Sequence, residues 1–259
     1  MVRLTSVWHG INFLYQLLYG RVRSMGVLSI VATPIGNLGD ITMRALNVLR
    51  EADLILCEDT RVTRKLLSHY DIHTRTESFH AHTKEEKLER FIALLAEGGN
   101  LALVTDAGTP GISDPGSRLV SLLYKRFGSH PTDGVSVVAV PGPSAVIAAL
   151  SISGFPVSDF LFLGFLPHKK GRKTLFEEVA SSSRAVVLYE SPHRILKTLE
   201  ALSLVIGERP IAVARELTKV YEEVIIGTAA EVLDGFTRVP KRKRGEFVVM
   251  ISPRVPTRG

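Results

Sequence analysis

The chain has 259 residues, of which 45% are apolar and 22% charged, long enough for one large or two smaller domains and unlike a disordered or fibrous polymer. Thirty-two Lys and Arg against 26 Asp and Glu leave a net charge of +6, which suits a polyanionic partner without requiring one. The single cysteine, Cys57, excludes an internal disulfide and fits a reducing, cytoplasmic compartment.

The first 24 residues carry Trp8, Phe13, Tyr15 and Tyr19 among leucines and arginines. Their apolar run is short and broken by glycine, below the roughly 20 apolar residues of a membrane span, and no small-residue cleavage site follows it. Residues 1–25 are read as an extension outside the core, with Met25 directly before the first convincing strand.

From Gly26 onward, apolar runs alternate with helical patterns as in βαβ units. VLSIVAT, ADLILCE, NLALVTD and VSVVAV are near-continuous and β-branched, the pattern of parallel strands buried on both faces; Cys57 falls in the second and is read as buried. Helices are predicted at Asp40–Glu51, Thr60–His69, Lys84–Gly98 and Ser117–Phe127. In the third, Thr83 and Glu86 spell a capping box, and Leu88, Phe91, Ile92 and Leu95 keep helical spacing.

The small-residue segment PGPSAVIAALSISG then reads as a bridge. Beyond Phe155 come five strand patterns, DFLFLGF, RAVVLYE, PIAVARE, EEVIIGT and GEFVVMIS, with helices at Lys173–Ser181, Arg194–Val205 and Ala229–Leu233. Their short links predict antiparallel pairs in a mixed sheet. The expected fold class is α/β: two domains, residues 26–154 with a mainly parallel sheet and 155–259 with a mixed one, and a ligand cleft between them.

Four loops follow strands: TPIGNLGD at Thr33–Asp40, CEDTR at Cys57–Arg61, TDAGTPGISDPG at Thr105–Gly116, and VPGPSA at Val140–Ala145. Strands of a parallel sheet share a direction, so these loops converge on one edge, where open α/β sheets bind ligands. Glycine lets backbone approach a ligand closely, and Pro110 and Pro115 stiffen the path. The first loop has a proline where a GxGxxG fingerprint wants glycine, and no phosphate-loop lysine occurs, which excludes the dinucleotide and triphosphate signatures. Asp106 suits a ribose hydroxyl and repels phosphate, so a nucleoside-like ligand fits; the alternative is that it caps the glycine turn.

Glu58 and Asp59 end the second strand, where one can act as a base; the alternative is an ion pair with Arg61 or Arg64. His69, His73, His80 and His82 lack metal-ligand spacing, so no metal is expected. Lys169, Lys170, Arg172 and Lys173 in one loop, and Lys241, Arg242, Lys243 and Arg244 in another, can bracket an RNA backbone; solvated loops are the alternative. Arg215 and Glu216 end an apolar strand and either face the cleft or pair structurally.

In this order VATPIGNLGD, CEDTR, TDAGTPGISDPG, PGPSA, GFLP, YESPHR and RELTK resemble the ribosomal RNA small-subunit cytidine 2′-O-methyltransferases of the tetrapyrrole methylase superfamily, over Leu28 to about Ser252. The resemblance implies a cytoplasmic homodimer that binds S-adenosylmethionine in the interdomain cleft, with no membrane partner. Its implied substrate is a cytidine ribose of 16S ribosomal RNA, free or in the 30S subunit. By matching position it implies cofactor contacts at Pro34, Ile35, Asp106, Ala107, Gly108, Thr109, Ser144 and Ala145. Leu188 or Tyr189, Ala214, Gly245 and Glu246 extend that set. Glu58, then Asp59, are the candidate bases, and Arg61, Arg215 and the two basic loops the candidate RNA contacts. Tyr189 is a candidate stacking partner for an unstacked base. Two rivals remain: methylation of a tetrapyrrole or other small molecule on the same fold, and a non-catalytic RNA-binding protein.

Overall fold

A computed structural model describes residues 25–254, apart from residues 115, 129–133, 168 and 170. The expectations for residues 1–24, Pro115 and Lys170 lie outside the described residues.

Four strands form at the first series of apolar runs, and one forms where no run marks it: β1 (Gly26–Val31), β2 (Leu54–Cys57), the unmarked β3 (Thr76–Ser78), β4 (Asn100–Leu103) and β5 (Val135–Val140), in the order β3-β2-β4-β1-β5. Every pairing is parallel, so each connection must cross over. The crossovers are α1 (Met43–Glu51), α2 (Thr60–His69), α3 (Glu85–Ala96) and α4 (Gly116–Phe127). The chain leaves β1 toward β2 and β3, then returns to β4 and β5. Right-handed crossovers therefore put α1 and α2 on one face and α3 and α4 on the other. The two-residue period of the strands agrees: Leu28, Leu54, Leu56, Leu101 and Leu103 all pack with Phe91 and Leu95 of α3 and Leu119 and Leu123 of α4. Cys57 is fully buried in β2.

Two local expectations need correction. The first helix starts at Met43, not Asp40, because Thr42 accepts the Ala45 N–H and caps it; Leu38–Asp40 is a separate 3₁₀ turn. The Thr83 capping box does not form. The Thr83 hydroxyl instead accepts the His80 N–H at 2.8 Å, and Lys84 stands at the N-cap without a side-chain bond.

After β5 the chain forms α5 (Ala145–Ile152), then a second sheet of β6 (Phe160–Phe165), β7 (Ala185–Glu190), β8 (Ile211–Arg215), β9 (Glu223–Gly227) and β10 (Phe247–Ile251). Its order is β6-β7-β10-β8-β9; β6 and β7 are parallel and the other pairs antiparallel, the mixed sheet that the short links predict. Side chains alternate between two cores. Leu188, Val213 and Val249 face α6 (Arg172–Ser181), α7 (Ile195–Ile206) and α8 (Ala229–Arg238). Val187, Ala212, Ala214, Val248 and Met250 face Val146 and Ala149 of α5. Helix α8 outruns its expected end at Leu233, because buried Phe236 completes the stripe begun by Ala229 and Val232.

The YESPHR motif is a buried ion pair. The Glu190 carboxylate, wholly inaccessible to solvent, accepts the Ser191 N–H (2.8 Å) and the Thr198 hydroxyl (2.6 Å) and forms an ion pair with Arg194, whose Nε lies 2.8 Å away. Arg194 Nη1 also donates to the Leu166 carbonyl of GFLP at 2.6 Å, so the two motifs are one hydrogen-bonded structure. Arg194→Ala strands a buried carboxylate and should lower unfolding free energy by about 3 to 5 kcal/mol in a urea titration; a loss below about 1 kcal/mol would contradict the pairing.

By packing, the described chain divides into two compact units. One comprises residues 25–31, Thr42–Asp106 and Asp114–Pro141; the other comprises Ala32–Ile41, Ala107–Ser113 and residues 142–254. Three of the four strand-end loops thus pack with the second sheet. No helix among the described residues is long and apolar enough to cross a membrane.

Candidate functional site

Within the second unit the three loops meet at Gly108. Thr33 and Gly108 form an antiparallel bridge, each N–H donating to the other's carbonyl, at 2.9 and 3.0 Å. Gly108 has φ +83°, and a Cβ there would lie 3.6 Å from Ile35 Cγ2 and 3.9 Å from the Pro143 carbonyl. The left-handed backbone favours glycine, and the contacts join PIGNLGD, AGTPG and PGPSA at one residue. The Thr109 hydroxyl donates to the Pro143 carbonyl at 3.2 Å. Ile35 continues into the α5-side core with Val146 and Ala214, and Ser144 caps α5 without a side-chain hydrogen bond.

Tyr189 faces the same side of the sheet. Burial raises its hydroxyl pKa, opposed by the Val146 N–H that it meets. Its ring packs on Phe162 and Phe165, with centroids 5.0 and 5.4 Å away. Leu188 points into the opposite core, so only Tyr189 of that pair presents its side chain to the loops.

A second brace holds the first loop, and sequence reasoning did not foresee it. Glu216 and Thr218 of RELTK adopt φ of +51° and +66°, a strained conformation for residues with side chains. Thr218 Oγ1 thereby accepts the Asn37 N–H at 3.0 Å, while its own N–H donates to the Glu222 carboxylate. Gly36 fits beneath: a Cβ there would lie 2.8 Å from Thr218 Oγ1 and 2.5 Å from Lys219 Cγ. Glu216 accepts the Glu246 N–H at 3.0 Å and Lys219 Nζ at 3.1 Å; Lys219 also reaches Glu246 at 2.7 Å. Burial pushes the Glu216 carboxyl up, but these two donors outweigh it and hold its pKa below the ordinary range. Gly245, at φ +104°, leaves room for the Glu216 side chain. Left-handed non-glycine residues leave no composition signal, which is why RELTK gave only a motif.

In the first unit, Asp106 Oδ1 accepts the Asp59 N–H at 3.1 Å. It ties the loops after β2 and β4 to each other. Asp59 caps α2 through the Arg61 N–H (2.8 Å) and grips the Arg61 guanidinium at 2.6 Å. Those Arg61 bonds hold its pKa at about 2, so it is a poor proton acceptor near neutrality. Glu58 differs: partial burial, then the charges of Asp106 and Asp114, raise its pKa against the Thr105 hydroxyl that donates to it at 3.3 Å. Of the two candidate bases, Glu58 has the suited environment.

The basic residues fall into two groups. Arg172 donates to Thr198 at 2.8 Å and lies over the Phe176 ring, Arg242 pairs with Glu223, and Arg61 is held by Asp59. Arg215 donates to the carbonyls of Arg244 (2.7 Å), Tyr221 (3.1 Å) and Lys241 (3.4 Å). These four shape the protein itself. Lys169, Lys173, Lys241 and Arg244 are exposed, and Lys243 is partly so.

Residues 27–233 match the family model of tetrapyrrole (corrin/porphyrin) methylases. A ribosomal RNA small subunit methyltransferase I of Halalkalibacterium halodurans is 46% identical over 237 residues, covering 91% of this chain and 79% of that one. Its counterpart from Thermotoga maritima is 44% identical over 228 residues, covering 88% and 99%. Among solved structures, a cobalt precorrin-4 methyltransferase of cobalamin biosynthesis superposes with a TM-score of 0.64 at 20% identity, covering 91% of this chain and 98% of that one. A uroporphyrin-III C-methyltransferase from Thermus thermophilus, complexed with S-adenyl homocysteine, gives 0.57 at 20% identity, covering 88% and 97%. These structural likenesses speak to the fold alone. With that fold, a family match across most of the length and relatives near 45% identity, the chain belongs to the tetrapyrrole methylase family, among its ribosomal RNA small subunit methyltransferase I members.

Proposed function

We propose that the protein transfers a methyl group from S-adenosylmethionine to the 2′-hydroxyl of a cytidine ribose in 16S ribosomal RNA, acting in the cytoplasm as a homodimer. The observation that carries the cofactor is the meeting of three loops at Gly108, where bare backbone, apolar Ile35 and the first turn of α5, to which Ser144 lends no side-chain bond, stand together. That set suits a nucleoside joined to an amino-acid tail, whose carboxylate favours a helix N-terminus. Pro34, Ile35, Asp106, Ala107, Gly108, Thr109, Ser144, Ala145, Tyr189, Ala214, Gly245 and Glu246 are its proposed contacts, with Leu188 limited to its backbone. The names of the relatives support small-subunit RNA as substrate.

When bound, the cofactor supplies an electrophilic methyl on sulfur for in-line displacement by oxygen. The protein's own contribution is to align the hydroxyl and remove its proton, and Glu58 takes that proton. Exposed Lys169, Lys173, Lys241 and Arg244, with the partly exposed Lys243, neutralise phosphates. A calorimetric titration with S-adenosylmethionine should give one site per chain; absence of binding would sink the enzyme reading and favour a non-catalytic RNA-binding protein.

A further inference from the structure

RELTKVYEE also carries an exposed apolar and aromatic tip. Val220 and Tyr221 are 93% and 71% exposed, at the tip between β8 and β9. A large aromatic held in water at a loop tip wants a partner. The tip is also fixed: Thr218 N–H is held by Glu222, the Glu222 N–H donates to the Lys219 carbonyl at 3.0 Å, and Arg215 Nη1 grips the Tyr221 carbonyl.

The same guanidinium holds the carbonyls of Lys241 and Arg244, so one clamp joins the backbone at an exposed tyrosine to the backbone of a run of four basic residues. Arg242 spends its charge on Glu223, while Lys241 and Arg244 are exposed and Lys243 partly so. Glu222 is the acid on the tip itself and is committed to the Thr218 N–H. The run leads directly into Gly245 and Glu246, and Thr218 braces Asn37 next to Pro34 and Ile35. This surface is therefore continuous with the proposed methyl-donor contacts of the second unit.

An exposed ring on a loop tied to a basic loop matches how proteins hold single-stranded RNA, with a base stacked on the ring and phosphates on the basic side chains. We infer that Tyr221 is a stacking platform for an unpaired nucleotide flanking the target cytidine. Lys241, Lys243 and Arg244 take the adjacent phosphates, and Arg215 is the positioning residue that joins the two loops. The inference rests on the RNA reading above and adds to it the place where the strand lies.

Filter binding to a short single-stranded, cytidine-containing oligoribonucleotide and to purified small subunits tests this directly. Tyr221→Ala should weaken binding about tenfold, the loss of one stacked base, and raise the KM for RNA with S-adenosylmethionine affinity unchanged. Tyr221→Phe should restore it, since stacking does not use the hydroxyl. Replacing Lys241, Lys243 and Arg244 by glutamine should flatten the dependence of log affinity on log salt by about 2, at roughly 0.7 per phosphate contact. Unchanged RNA affinity in Tyr221→Ala overturns the proposal. So does a shift from dimer to monomer in sedimentation with RNA affinity intact, because the tip then contacts a second copy of the chain. Because binding is read without turnover, a wild-type protein that binds RNA but transfers no methyl group would defeat the reaction proposed above and not this surface.

Discussion

Replacing Glu58 by glutamine should lower the rate of methyl transfer about 10² to 10⁴-fold, the usual contribution of a positioned base, while leaving S-adenosylmethionine affinity unchanged. The substitution keeps shape and removes only the proton-accepting charge, so a folding defect is not expected. The environment of Glu58 makes it the candidate. Partial burial and the charges of Asp106 and Asp114 raise its pKa, whereas Asp59 is held at about 2 by Arg61. A base works only when ionised, so the wild-type rate should fall as pH drops through the Glu58 pKa, with an acid limb above the ordinary glutamate range. Single-turnover transfer measured against pH checks both points. An unimpaired Glu58→Gln rate removes Glu58 as the base.

Asp106→Ala should reduce S-adenosylmethionine affinity about 10- to 100-fold, the loss of one or two hydrogen bonds to a charged acceptor. One carboxylate oxygen of Asp106 holds the Asp59 N–H, and the other suits a ribose hydroxyl. The variant also removes a charge that raises the Glu58 pKa, so the acid limb of the rate profile should move down in pH. The two readouts separate the roles. Lost affinity with a shifted limb supports a cofactor contact that also tunes the base; a shifted limb with full affinity would show that Asp106 only ties the two loops together.

Much of the fold is written in periodicity. The near-continuous runs at β1, β2, β4 and β5 announce parallel strands, and the alternating cores of β7, β8 and β10 follow from strands covered on both faces. Strand β3 is not legible, because Thr76–Ser78 carries no apolar run and forms only through pairing with β2. The Thr83 capping box failed for a related reason: a hydroxyl has several nearby N–H groups to choose from, and the turn at His80 won.

The candidate site divides in the same way. Glycines and prolines mark the loops that touch at Gly108, since their conformational demands are visible in composition. Which unit each loop packs against is decided by long-range burial, such as Ile35 among Val146 and Ala214. Charge is the least legible. Arg215, Arg172 and Arg242 read as part of a basic surface, yet their donors are spent on carbonyls, Thr198 and Glu223. Exposed Tyr221 gave no signal because a lone aromatic in a loop reads as core until its burial is known.

The proposed destination of the methyl group is a cytidine ribose of small-subunit RNA. Its most direct measurement is transfer from S-adenosylmethionine carrying a labelled methyl group to purified small subunits and to protein-free 16S RNA, followed by digestion to nucleosides and separation. The label should appear in 2′-O-methylcytidine; label on a base, in another nucleoside, or in neither RNA preparation would contradict the account.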